Sequence, residues 1–517
     1  MPQVFRDAHA ATPLTLDLPV VLLSHRGPVS FDRAAATGER TTARGAGGLV
    51  TALSGLASHL DEAVWVCIAS GSEDAAVASE AGGEPMQLAL DPQPHLLDEG
   101  EDCSRRISMR LVEIPPEVHD PFYGVIANPL LWFVQHRLYD LALSPSLGRE
   151  EHAAFEDGYV VANQLAADAV IEQVEQVGGK AVVLLHDYHF YLVGDLVRQA
   201  CPEALVSHFV HIPWPEPDSW RVLPPAMRNR LLGGLLGCDV VAFHTVADAR
   251  SFLFCCQELL SLPVDRRSMT VSVEGRTVRV RVYPISIDIP ALEAIAHTDA
   301  SDEHVVDLDH SLGTGQLVLR VDRTDPSKNI VRGFQAYDLM LEEHPELHGR
   351  VVFLALLQPS RQDVQEYADY LHAIGAAVST VNARHGTGDW QPIDLRYASD
   401  MALATAAYRR CDVLVVNAVA DGMNLVAKEA VVLNERDMVL ALSEATGAHD
   451  ELGRFAVTLH PFDVAQQADA LYEALTMPGQ LRRDRREHAA LIVHRNDVRR
   501  WLTVQLRDLS ELHASPT

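Results

Sequence analysis

Short apolar runs recur along this chain, each bounded by turn-forming residues. In the first half, Leu18 to Ser24, Ala63 to Ala69, Val182 to Leu185, Leu205 to His211, Asp239 to His244 and Arg279 to Ile285 read as strands. Gln316 to Val321, Val351 to Leu357, Val413 to Val416 and Met438 to Leu442 continue the series in the second half. These runs are nearly continuous in apolar residues, as strands covered on both faces are. Helical stripes lie between them: Leu49, Leu53, Leu56 and Leu60; Phe155, Tyr159, Ala162, Ala166 and Ala169; and, near the end, Val498, Leu502, Leu506 and Leu509. Strands alternating with helices predict an α/β protein built on doubly wound parallel sheets. Asn128-Pro129 reads as a turn that brings Tyr123 near Trp132, and Gly82 to Cys103 as an exposed excursion. The acidic stretch His297 to Thr314 reads as an interdomain linker.

A length of 517 residues exceeds what one core can organise. The expected division is 1–295, 296–485 and a final helical segment, 486–517. A net charge of −29 argues against nonspecific nucleic-acid binding and against an anionic membrane surface. No apolar run approaches membrane-spanning length, and Met1 to Pro19 lacks the pattern of a signal peptide. The seven cysteines form no C-x-x-C pair, which fits reduced thiols in a cytoplasmic protein.

The chemistry collects at the ends of the apolar runs, where open α/β sheets bind ligands. After Val413–Val416 the chain reads Asp421-Gly422-Met423-Asn424-Leu425-Val426-Ala427-Lys428-Glu429, a turn entering a helix. Free N–H groups and the helix dipole there suit an anion, Asp421 can accept from hydroxyls, and Glu429 sits over one turn further in. Arg323 and Lys328 stand five residues apart straight after a strand, which suits phosphate oxygens better than a solvated face. Arg26 and Arg361 each follow a strand, and Arg44-Gly45-Ala46-Gly47-Gly48 is a glycine-rich loop before a helix. His186, His189, His208 and His211 invite a metal, but His208 and His211 face opposite sides of a strand, which breaks the cluster. No metal is expected.

Taken together, His186-Asp187-Tyr188-His189, His211-Ile212-Pro213-Trp214-Pro215, Arg323 with Lys328, Pro359-Ser360-Arg361 and Asp421 to Glu429 resemble the motifs of trehalose-6-phosphate synthases. The similarity runs from about residue 19 to 510. It implies the GT-B arrangement, two Rossmann-like domains with the site in the cleft between them and a last helix that crosses back. It implies a retaining glycosyltransferase that moves glucose from UDP- or GDP-glucose to glucose 6-phosphate. By position, Asp187, His211, Arg323, Lys328 and Asp421 would be catalytic. Gly48, Arg323, Lys328, Asp421, Met423, Asn424, Leu425, Val426 and Glu429 would hold the donor, and Arg26, Tyr123, Trp132 and Arg361 the acceptor. No cofactor, nucleic acid or membrane partner is implied; oligomeric state stays open.

Two positions depart from the family pattern. Ile68 stands where the family carries a tryptophan beside the acceptor sugar, and Ala420 where many relatives carry arginine. Arg323-Thr324-Asp325-Pro326 also resembles the branch that joins unsaturated or amino cyclitols, and glucosylglycerol-phosphate synthases share most of the motifs. A second acceptor or donor within the same machinery is therefore the alternative, with a silent sugar-phosphate-binding regulator behind it. Arg323, Lys328 and Asp421 are all present, which speaks against silence.

Overall fold

The structure is a computed structural model and describes residues 18–34, 37–45, 50, 53, 63–89, 95–96, 106–362, 364–397 and 399–514. Two separate parallel sheets carry the chain. The first holds Val20–Ser24 (β1), Ala63–Ile68 (β2), Arg106–Val112 (β3), Val182–His186 (β4), Leu205–Phe209 (β5), Val240–Phe243 (β6) and Arg276–Val282 (β7). They lie in the order β7-β6-β5-β4-β1-β2-β3, all parallel. Short antiparallel strands extend both edges. The second sheet holds Gln316–Arg323 (β8), Val351–Gln358 (β9), Ile393–Tyr397 (β10), Val413–Val416 (β11), Val439–Ser443 (β12) and Val457–Leu459 (β13). Its order is β10-β9-β8-β11-β12-β13, again all parallel.

Both sheets reverse their strand order once, between β1 and β4 and between β8 and β11, and a crevice opens there at the carboxyl ends. The apolar runs are the cause. Val20 and Leu22 of β1 enter one core while Val21 and Leu23 enter another on the opposite face. The helix Val498–Ala514 returns to the first sheet: Trp501 Nε1 donates to the Tyr283 carbonyl at 3.2 Å, and Leu502, Leu506 and Leu509 join the core of Val20 and Leu22. No helix among the described residues is long and apolar enough to cross a membrane.

Three local expectations are corrected. The segment read as a linker contains a helix, Asp299–Leu312, capped by Thr298. Its first-turn acids favour a helix N-terminus, and buried Leu308 anchors it. Within the segment read as exposed, Met86–Ala89 pairs antiparallel with β3, and Leu88 and Ala89 are fully buried. Asn128-Pro129 forms no turn but lies inside a π-helix, Asp120–Leu131. The wider i→i+5 ladder accommodates the proline that an α-helix interior would not.

Candidate active site between the two sheets

At one end of the cleft, β8 runs into Pro326–Lys328, a single 3₁₀ turn capped by Asp325, whose Oδ1 accepts from the Ser327 amide at 2.9 Å. The turn aims Lys328 across the crevice, where its Nζ meets Asp421 Oδ2 at 2.5 Å. Burial opposes both charges, but each holds the other: Asp421 and Asp322 keep the ammonium above its ordinary pKa, and Lys328 keeps the Asp421 carboxyl below its own. Asn424 Nδ2 adds a bond to the same Asp421 oxygen at 3.1 Å, while its Oδ1 caps the helix Leu425–Leu433 at the Ala427 amide. Leu425 and Val426 open that helix, so their amides have no acceptor within it. Glu429 lies beyond them, accepts from Tyr408 O–H at 3.1 Å, and is raised in pKa by burial. Gly422 is required by contact: a Cβ there would lie 2.1 Å from the His211 carbonyl oxygen.

The other end is assembled from both halves. Arg361, after β9, has φ near +51° and a guanidinium that donates to Tyr367 O–H at 2.5 Å and Tyr188 O–H at 3.0 Å. It lies 4.3 Å over the Trp132 ring, and Arg323 sits 5.3 Å over the same ring. Asp325 joins these groups. It accepts from Trp132 Nε1 at 3.3 Å and Tyr367 O–H at 3.1 Å, and lies 3.5 Å from Arg361. Burial pushes its carboxyl up, yet Arg323 and Arg361 outweigh that and hold it at about 2. Tyr123 stacks on His25, which stacks on His189. Burial would raise the Tyr123 phenol, but Arg361 and Arg26 pull it below its ordinary value, so both cations act on one hydroxyl. Tyr123 and Trp132 share this wall because of the π-helix. Nine residues make about two and a half turns of α-helix, which would oppose them, but about two turns of π-helix.

Between the two ends stands Asp187, at φ +72° after β4, a conformation rare for a side-chain-bearing residue. Its carboxylate faces the His211 amide at 3.4 Å, and burial pushes its pKa up to about 7 against the pull of Arg361 and Arg323. His211 is kept neutral by burial. Among the described residues no group of three or more His, Cys, Asp or Glu is arranged to hold a metal ion.

The residues proposed from sequence therefore meet in one cleft, with two exceptions. Gly48 lies outside the described residues. Met423 has its side chain buried in the core and its carbonyl accepting from the Ala448 amide, so only its own amide could reach a ligand. Ile68 is buried in the core, its amide bonded to the His25 carbonyl. Sequence reasoning missed Asp325, Tyr188 and Tyr367, and His25 beside Arg26. The signal available for Asp325 was its place beside Arg323 in a strand-end turn.

Two Rossmann-like parallel sheets, each with its crevice at the carboxyl ends of its strands, give the architecture of a glycosyltransferase of the GT-B fold. The chain belongs to Glycosyltransferase family 20, whose profile matches residues 19–511. It is 30% identical over 485 residues to the UDP-forming alpha,alpha-trehalose-phosphate synthase A of Dictyostelium discoideum, covering 93% of this chain and 61% of that longer protein. It is also 30% identical over 506 residues to the validamine 7-phosphate valienyltransferase of Streptomyces hygroscopicus subsp. jinggangensis, covering 96% and 95%. A crystal structure of a UDP-forming alpha,alpha-trehalose-phosphate synthase from Burkholderia xenovorans in complex with glucose-6-phosphate superposes with a TM-score of 0.78 at 26% identity, covering 95% and 99%.

Proposed function

We propose that the chain transfers glucose from UDP-glucose to glucose 6-phosphate with retention of configuration, giving α,α-trehalose 6-phosphate. The observation that carries this reading is the seating of Arg361 on Tyr188, Tyr367 and Trp132, opposite the Lys328–Asp421 corner, with Arg26 near enough to act on the same Tyr123 phenol. One end offers two cations and a phenol to a phosphate monoester, and the other offers cations and helix amides to a diphosphate. Arg323, Lys328 and the amides of Leu425 and Val426 would stabilise the departing diphosphate as the sugar carbon becomes oxocarbenium-like. Glu429 would bind the ribose hydroxyls, and Asp421 and His211 the glucose. The acceptor hydroxyl would attack from the leaving-group face and pass its proton to a departing phosphate oxygen. Charge neutralisation then falls to protein cations, so activity should persist in excess EDTA; abolition with rescue by Mg²⁺ would reassign it to a metal.

The deciding experiment pairs UDP- and GDP-glucose with glucose 6-phosphate, glycerol 3-phosphate and glucose, and reads released nucleoside diphosphate. Turnover with glucose equal to that with glucose 6-phosphate would end the trehalose-phosphate reading. A second reading is favoured by one observation: buried Ile68 leaves the acceptor side without the tryptophan of the synthases. Under it, the same cleft would join a nucleotide-activated cyclitol to a phosphorylated aminocyclitol, as the name of the valienyltransferase relative suggests.

A further inference from the structure

His186 ends β4, and His211 follows β5 by two residues, so adjacent parallel strands bring their rings together. His186 Nδ1 lies 3.0 Å from His211 Nε2. We propose that His186 is a positioning residue whose Nδ1–H donates to His211 Nε2, which forces the His211 proton onto Nδ1, the nitrogen left for a ligand. His211 then meets the donor sugar as a neutral N–H donor rather than as an acceptor.

Two tautomer arrangements could make this bond, and the far side of His186 separates them. His186 is 2% exposed, and its Nε2 is buried with no partner among the described residues. Leu184, Trp501, Leu502, Gln505 and Leu506 line the space beside it. Gln505 donates its amide to the Trp501 carbonyl, and neither its oxygen nor any other described acceptor lies within hydrogen-bond distance of His186 Nε2. If His211 donated, His186 would carry its proton on Nε2, an N–H buried without an acceptor. Orphaned buried N–H groups are rarer than orphaned acceptors, so the bare nitrogen belongs on this side. The neighbouring strand supplies an internal comparison. His208 Nε2 lies 3.0 Å from the Asp187 carbonyl, which can only accept, so His208 donates from Nε2 and its orphaned Nδ1 is the bare one. Burial holds His186 at about 3 and His211 well below its ordinary value, so each ring carries one proton. Phe209 stacks on His211 at 4.4 Å, and Trp501 of the C-terminal helix lies 6.3 Å away, which fixes the ring plane. An uncharged donor suits a sugar carbon that becomes cationic, where an imidazolium would repel it.

The role of His211 toward the sugar rests on the proposed reaction; the tautomers do not. The test is long-range ¹H–¹⁵N correlation of the full chain with ¹⁵N-labelled histidine and no ligand, assigned through His186→Asn and His211→Asn. Both rings should appear as Nδ1–H tautomers. In His186→Leu the His211 signal should leave that form, and kcat/KM for the nucleotide-sugar should fall on the order of tenfold to a hundredfold with acceptor KM little changed. His186→Asn, whose carboxamide N–H replaces Nδ1–H, should keep most of the rate. An Nε2–H tautomer at His186, or wild-type turnover in His186→Leu, would overturn the proposal. Nδ1 tautomers in a chain that transfers no sugar would remove the reaction instead and leave the imidazole pair standing.

Discussion

Lys328 meets its carboxylate, Asp421, within the second half of the chain, and the amides of Leu425 and Val426 come from that half too. Arg361 also belongs to the second half, but it bonds Tyr188 and lies over Trp132, both from the first. The diphosphate corner is thus complete on one sheet, whereas the acceptor corner exists only where the two halves meet. Under the proposed reaction the donor diphosphate is held within one half, with His211 of the other half meeting the donor sugar, and the acceptor phosphate falls to Arg26 of the first half and Arg361 of the second. On that reading acceptor binding, more than donor binding, would sense the relative position of the sheets.

The comparison breaks first at the diphosphate corner. Arg323→Ala or Lys328→Ala should lower kcat on the order of a hundred- to a thousandfold, the scale of removing one fixed transition-state donor. Steady-state kinetics with a thermal melt check this: Arg323→Ala should melt near wild type because its side chain is 38% exposed. Near-normal turnover in both would take the corner out of the reaction. At the shared corner the effect should be smaller and should fall on one substrate. Arg361→Ala should raise acceptor KM on the order of tenfold to a hundredfold and move donor KM much less, as losing a charge-assisted phosphate contact does. Arg26→Ala should act in the same direction. Equal changes in both KM values would mean that the two corners are not separate.

Asp325→Asn tests the joint between them. The variant side chain can keep the hydrogen bonds from the Ser327 amide and Trp132 but loses the charge that faces Arg323 and Arg361. Both guanidiniums are then less restrained, and acceptor KM should rise by a few-fold, with a lesser change for the donor. An unchanged acceptor KM would show that Arg361 is oriented by Trp132 and the tyrosines alone.

The two corners were also unequally legible in the sequence. Lys328, Arg323, Asp421 and Glu429 stand at strand ends and in one strand–turn–helix unit, so their placement follows from local pattern. Ten of the thirteen parallel strands follow from apolar runs buried on two faces, while Arg106–Val112, Ile393–Tyr397 and Val457–Leu459, which are outer strands, polar-bearing or short, were not read. The acceptor corner depends on long-range partners. Tyr367 lies 42 residues from Asp325 and Trp132 lies 193 residues away, separations that no spacing rule reports. Tyr123 and Trp132 were found by resemblance, but the π-helix that aligns them has no sequence signature comparable to a cap or an apolar stripe. Buried Lys428 carried no signal of its own in that stretch. It bonds the Ile285 carbonyl and Glu451, which in turn accepts from Asn496 beside the second crossing between the halves.

The last test concerns Asp187, which belongs to neither corner, and it falls on stability rather than on a kinetic constant. Its pKa rises from an ordinary 3.8 to about 7, chiefly through burial. Below pH 4 the carboxyl is protonated whether the chain is folded or not. Between pH 4 and 7 the unfolded chain releases the proton and the folded chain keeps it, so this group's contribution to stability declines as pH rises, and above 7 the loss is complete. A carboxamide in its place would stay neutral throughout, and the strained backbone (φ +72°, ψ 174°) is common to both chains, so its cost largely cancels in the comparison. Asp187→Asn should therefore gain stability relative to wild type as pH climbs from 4 to 7 and then level off, by on the order of 1–4 kcal/mol. Paired thermal melts across that range decide it. A difference independent of pH would mean that Arg323 and Arg361 already hold Asp187 ionised, and that the positive ends of both corners reach the centre of the cleft.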